Sequence, residues 1–241
     1  MITRLLQFCG VSLGPAADLL PPAPDNPAGF WENRRFLAVN DMLVMALGGS
    51  WSAPPHFTTG WEHHTALDPL VAHARALVET FASASDLPFA WKDPVNTLTL
   101  PFWRVVVPDL TVLVCVRHPL DVAASLATRH GWTVASGLEL WRRYAERLLA
   151  DGGPTRRITT HYDAYFDDGP GELRRVTRAL GLEVGTETIV RALASRQIGL
   201  RNHRSAVRAT TLPPGVAIPY AVLCSEAGVD PGGSGRVQPV A

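Results

Sequence analysis

Residues 110–126 read Leu-Thr-Val-Leu-Val-Cys-Val-Arg-His-Pro-Leu-Asp-Val-Ala-Ala-Ser-Leu. From Leu110 to Val116 every residue but Thr111 is apolar and most are β-branched, the pattern of a strand buried on both faces of a parallel sheet. The run stops at Arg117. His118-Pro119 breaks the strand, and Asp121 to Leu126 open a segment with helical spacing. Arg117 is therefore expected at the carboxyl end of a buried strand, where open α/β sheets bind ligands and where the amino end of the next helix favours an anion.

Arg117 and Ser125 are 8 positions apart, so a strand end and a helix start can bring a guanidinium and a hydroxyl onto one phosphate. A second reading of the same residues has Arg117 paired with Asp121 and Ser125 merely packed. The residues alone leave both open. Their order adds something further: RHPLDVAASL resembles the second signature of the sulfotransferases that use 3'-phosphoadenylyl sulfate. The resemblance implies that Arg117 and Ser125 hold the donor's 3'-phosphate.

The chain has 241 residues, enough for one α/β domain, expected over residues 1–212 and followed by a Pro/Gly-rich, partly disordered tail over 213–241. Its 22 basic residues balance 22 acidic ones, so no net field recruits nucleic acid or an anionic membrane. Lys92 is the only lysine. Cys9, Cys115 and Cys224 are odd in number and far apart, which fits neither a disulfide framework nor a zinc knuckle and points to a reducing, cytoplasmic setting. No segment approaches the roughly eighteen apolar residues a membrane helix needs. The opening MITRLLQFCGVSLGPAA has Gln7, Gly10 and Ser12 inside its apolar centre and only Arg4 as a basic residue, which is poor for a signal peptide.

Ile2, Leu5, Leu6 and Cys9 fall at helical spacing with no capping residue before them. In the sulfotransferase family a helix much like this one follows a strand and a phosphate-binding loop with an R-S-G-T-S-like core. The resemblance thus implies a chain that begins just after that loop, whose backbone N–H groups would cradle the donor's 5'-phosphosulfate. Either the true start lies upstream and the whole protein is an enzyme, or the chain is a truncated, catalytically inactive nucleotide-binding or interaction protein. The intact motifs downstream favour the first.

Further along, Pro21 to Gly29 is a turn-rich loop delivering Phe30-Trp31-Glu32-Asn33. Phe36, Asn40, Leu43 and Leu47 recur at helical steps, predicting a helix over 35–47. Further helices are expected over 70–81, 96–106 and 138–149, and short strands over 88–91 and 157–162. GFWEN, WKDPVNTLTLPFW and HYDAYFDD resemble other family segments, with Val95 where an Arg is usual, and Leu200 to Ser205 resembles a late basic patch. The fold implied is a parallel sheet flanked by helices, P-loop NTPase-like, lacking its first strand and loop.

Sulfuryl transfer needs a clamp on the donor, a base for the acceptor proton and a cation where charge builds on the leaving oxygen. Glu32, by its region in the family, is the candidate general base, against a surface Glu paired with Arg34 or Arg35. His56, His63, His64 and His118 are rival bases. Lys92 is expected near the crevice or in a structural pair with Asp93, and Arg201, Asn202, His203 and Arg204 either close over the phosphate or form a solvated loop. The spacing of Glu62, His63 and His64 with His56 matches no standard metal site, so no metal is expected. The implied acceptor is a hydroxyl or amine of a small molecule or glycan, with residues 21–29 and 51–61 lining its pocket. A nucleotide kinase is disfavoured because no G-x-x-x-x-G-K-[ST] run exists and no acidic pair is arranged for magnesium.

Overall fold

The computed structural model describes residues 1–24, 26–27, 29–151, 156–195 and 211–231. In chain order the elements are α1 (Ile2–Phe8), α2 (Arg34–Ala46), α3 (Asp68–Ala82), α4 (Asn96–Val106), β1 (Val112–Val116), α5 (Pro119–His130) and α6 (Val134–Leu149). They continue with β2 (Arg157–His161), α7 (Ala164–Asp167), α8 (Gly169–Ala179), α9 (Thr186–Ala194) and α10 (Pro214–Ala227). The chain divides into two compact units.

One unit, Gly10–Leu110 with Ala150–Thr155, is helical. Its core joins α2, α3 and α4 through Phe36, Val39, Leu43, Leu77, Phe81, Phe102 and Trp103, each buried. A fully buried side chain of this kind contributes about 1.5–3 kcal/mol. Asn33 caps α2, its Oδ1 accepting from the Arg35 N–H at 3.0 Å while its Nδ2 donates to the Leu13 carbonyl at 3.2 Å. The strand expected over 88–91 is reduced to one parallel bridge, Ser12 to Phe89. Ser12 N–H donates to the Pro88 carbonyl at 2.8 Å and Ala90 N–H to the Ser12 carbonyl at 2.9 Å. The apolar run 88–91 goes instead into ring packing: Trp91 stacks on Phe36 with centroids 4.6 Å apart.

The other unit, Met1–Cys9, Thr111–Leu149 and Arg156–Ala241, carries the sheet. β1 and β2 pair in parallel, with Val112 opposite Arg157 and Val116 opposite His161. A parallel pair needs a crossover, and α5 and α6 supply it. Gly137 of α6 lies so close to α5 that a Cβ there would come 2.8 Å from the Ala123 Cα. Leu120, Ala123, Leu138 and Val216 are buried together, with Trp141 and Leu212 against them.

One sequence expectation changes here. β1 is not buried on both faces: Val112 to Val114 are half-buried and Cys115 is exposed, because among the described residues the strand has β2 on one edge and no neighbour on the other. The Pro/Gly-rich segment from Pro213 also carries a regular element. Residues 214–227 form α10, burying Val216, Tyr220, Leu223, Cys224 and Ala227, apolar residues interleaved with Pro and Gly. Pro214 stands in the first turn, where its missing N–H costs nothing. Residues 232–241, and the basic patch of 200–205, lie outside the described residues.

Candidate functional site

Arg117 is the first residue after β1 and Tyr162 the first after β2, and the parallel register brings them side by side. The Tyr162 N–H donates to the Val116 carbonyl at 2.8 Å, extending the ladder by one step. The Arg117 guanidinium lies over the Tyr162 ring, 4.9 Å from its centroid. Burial raises the Tyr162 hydroxyl above its ordinary pKa, and the Arg117 charge opposes that rise. Arg117 Nε is buried and has no hydrogen-bond partner among the described residues. A donor so placed fits an acceptor from outside the chain, as an anionic ligand would supply.

His118 caps α5, its Nδ1 accepting from the Leu120 N–H at 3.3 Å, with Pro119 in the first turn. Ser125 follows in α5 and is half-buried. The His118 ring meets Tyr220 of α10 edge-on, with centroids 5.2 Å apart, and Trp141 meets the same ring at 6.0 Å. His161, at the end of β2, is buried. Its Nδ1 accepts from the Asp163 N–H at 3.2 Å, so Nε2 carries the proton facing the Tyr220 hydroxyl at 3.2 Å. Cys224 is held in the same packing, its thiol pushed up to about 11 by burial against a hydrogen bond with Tyr220. His118 is thus a cap and a packing ring.

The helical unit holds Glu32, 8% exposed. Its carbonyl accepts from the Leu20 N–H at 2.8 Å, and it sits between Trp31, a non-glycine residue at φ 60°, and the cap Asn33. The Glu32 carboxylate pairs with Lys92, which corrects two expectations at once. Glu32 does not pair with Arg34 or Arg35, whose neighbour is instead the Phe81 ring under the Arg35 guanidinium at 5.6 Å. Lys92 does not pair with Asp93 either, because Asp93 turns inward.

The Asp93 carboxylate is buried and accepts from Asn40 Nδ2 at 2.7 Å and from the Val95 N–H at 2.9 Å. Burial pushes its pKa up to about 6; the Val95 and Asn40 hydrogen bonds work against the rise, and the Glu32 charge adds to it. His56, His63 and His64 are exposed. Among the described residues no three His, Cys, Asp or Glu side chains are grouped to hold a metal ion.

Sequence reasoning missed Tyr162, Tyr220 and the Asn40–Asp93 contact. HYDAYFDD contained Tyr162, but the register with β1 that sets it beside Arg117 appears only in the sheet. Asn40 did leave a signal, as a polar residue on the apolar stripe of α2.

A parallel strand pair flanked by helices defines a mixed α/β protein, and a guanidinium at the carboxyl edge followed directly by a helix amino end is an arrangement that favours an anion. Residues 37–186 match the family model described as Sulfotransferase family, well over half of the chain, and the chain belongs to that family. Arg117, Ser125, Tyr162, Asn40, Lys92 and Asp93 lie inside the matched span and Glu32 just outside it. Comparisons with curated proteins and with solved structures give no match. Sulfotransferases move sulfuryl groups, in general from 3'-phosphoadenylyl sulfate. Among the described residues no helix is long and apolar enough to cross a membrane.

Proposed function

We propose that the protein transfers a sulfuryl group from 3'-phosphoadenylyl sulfate to a hydroxyl or amine of a small-molecule or glycan acceptor, in the cytoplasm and without a metal. The observation that carries the reading is the buried Nε of Arg117, without a hydrogen-bond partner among the described residues, at the end of β1 and inside the span that matches the family model. Arg117 presents a planar fork to the donor's 3'-phosphate, which a lysine would not replace, and Ser125 adds a hydroxyl.

The acceptor oxygen or nitrogen forms a bond to sulfur as the sulfur–oxygen bond to the donor phosphate breaks, releasing adenosine 3',5'-bisphosphate. Glu32 takes the proton that the acceptor loses. The Lys92 ammonium holds that carboxylate in an ion pair.

Calorimetric titration with adenosine 3',5'-bisphosphate tests the donor site. Arg117→Ala is expected to weaken binding by about ten- to a hundredfold, the loss of charge-assisted hydrogen bonds, while leaving the thermal unfolding midpoint nearly unchanged. Equal affinity in the two proteins would remove the assignment.

A further inference from the structure

Asn40 lies in the middle of α2 with none of its surface exposed, yet its side chain makes every hydrogen bond an amide can. Oδ1 accepts from Thr99 Oγ1 at 2.8 Å and from Trp103 Nε1 at 2.9 Å. Nδ2 donates to Asp93 Oδ2 at 2.7 Å and to Asn96 Oδ1 at 2.8 Å. Both acceptor sites and both protons are used. The amide orientation follows from this set, since rotating it by 180° would set its protons against the Trp103 N–H and its oxygen against the Asp93 carboxylate.

The partners have a common placement. Glu32 immediately precedes the capping residue of α2, the helix that carries Asn40. Lys92 immediately precedes Asp93, and Asn96, Thr99 and Trp103 continue the same stretch into α4. The amide therefore ties the helix that follows Glu32 to the segment that carries Lys92, in the part of the molecule where those two side chains meet. Trp91 reinforces the tie by donating from Nε1 to Asn96 Oδ1 at 3.3 Å while stacking on Phe36.

We propose that Asn40 is the positioning residue of the Glu32–Lys92 pair, its four hydrogen bonds setting the carboxylate and the ammonium at contact distance. The proposal rests on the reading of Glu32 as the base of sulfuryl transfer. A core amide kept only for packing would be replaceable at a cost in stability alone. A positioning amide, when replaced, loosens the ion pair even in protein that remains folded.

Lys92 is the only lysine, which gives the test a unique probe. Reductive methylation with carbon-13 formaldehyde places two labelled methyl groups on its ε-nitrogen and keeps the positive charge. The labelled amino terminus is told apart by its own resonance. With the ammonium held against Glu32, the two methyl groups are expected as separate resonances, and Glu32→Gln is expected to merge them. Asn40→Ser, shown to be folded by its cooperative melting, is expected to merge them as Glu32→Gln does. Wild-type splitting in folded Asn40→Ser, or merged resonances in the wild type, would overturn the proposal.

If Asn40→Ser does not fold, Thr99→Val takes its place. It removes one donor to Oδ1 at nearly constant volume, and partial merging is expected; unchanged splitting would again overturn the proposal. No donor or acceptor molecule enters this measurement, so its outcome is separate from whether the protein transfers sulfuryl groups. Where transfer is measured, the same variants are expected to lower kcat about tenfold or more with the donor KM unchanged. A proportional loss of donor affinity instead would place Asn40 in donor binding and overturn the positioning role.

Discussion

The guanidinium of Arg117 rests on the face of Tyr162, 4.9 Å from the ring centroid, because the two residues occupy matching positions one step beyond paired strands. The ring limits the tilt of the fork and shields one side of it from water. Tyr162→Leu is expected to weaken adenosine 3',5'-bisphosphate binding by about three- to thirtyfold, while Tyr162→Phe keeps most of the affinity, since the attraction comes from the ring face. Calorimetry on the three proteins distinguishes this from a role for the hydroxyl, in which Phe would fail as badly as Leu.

Glu32→Gln keeps the size of the side chain and removes its ability to take a proton. Turnover is expected to fall about a hundred- to ten-thousandfold, with binding of the bisphosphate product unchanged. Transfer of radiolabelled sulfuryl to a panel of phenols, alcohols, amines and glycans gives the rate. Wild-type turnover in the variant would move the base elsewhere.

Asp93 makes stability depend on pH in an unusual direction for a carboxylate. Its pKa is about 6 in the folded protein against an ordinary value of 3.8, so between those values the folded chain holds a proton that the unfolded chain has released. Its contribution is complete below about pH 3, falls by about 3 kcal/mol as pH rises to about 7, then stays level. Urea unfolding of wild type and Asp93→Asn isolates it, because asparagine does not titrate. Stability of the wild type minus that of the variant is expected to drop by about 3 kcal/mol between about pH 3 and pH 7.

Gly14 has φ +85°, and a Cβ there would stand 2.1 Å from Cε1 of the buried Phe81. Gly14→Ala combines left-handed backbone strain with a collision in the core of the helical unit. A loss of about 2–4 kcal/mol is expected in urea unfolding. A loss under about 1 kcal/mol would mean that the Phe81 ring yields easily.

Glu172 of α8 is 1% exposed and accepts from Arg175 Nε at 2.9 Å and Nη2 at 2.7 Å, and from the Thr160 hydroxyl of β2. The Arg175 guanidinium also donates to the Thr159 carbonyl at 2.8 Å. Arg175→Ala leaves a buried carboxylate with the Thr160 hydroxyl alone of these partners and is expected to cost about 3–5 kcal/mol. The double replacement Glu172→Leu with Arg175→Ala is expected to recover part of that loss. Unfolding midpoints of the two variants provide the check.

How far the sequence could be read depended on the range of the interactions involved. The helix of 96–106 was read at its observed bounds, and strand 157–162 to within a residue, because local periodicity and proline or glycine punctuation carry that information. At 88–91 the structure holds one bridge in place of a strand, because an apolar run ending in Trp91 reads alike whether it hydrogen-bonds a neighbour or packs its rings on Phe36. The partner of Lys92 is hidden from local sequence for a related reason. Adjacency in sequence favoured Asp93, whereas an amide 53 residues away draws the Asp93 carboxylate inward and leaves the ammonium to Glu32. The neighbourhood of Arg117 was legible as to its residue and invisible as to its ring, since Tyr162 comes beside it through strand register alone.

The helix at Pro214–Ala227 was the part most easily dismissed, yet its Tyr220 touches His118 after β1, His161 at the end of β2 and Trp141 of α6. A shortened chain ending at 212, the boundary that composition invites, would strip a shared aromatic keystone from beneath both strand ends. Val216 and Leu223 would leave with it. Loss of nucleotide binding in such a chain would then report missing architecture, with Arg117 and Ser125 still in place in the sequence.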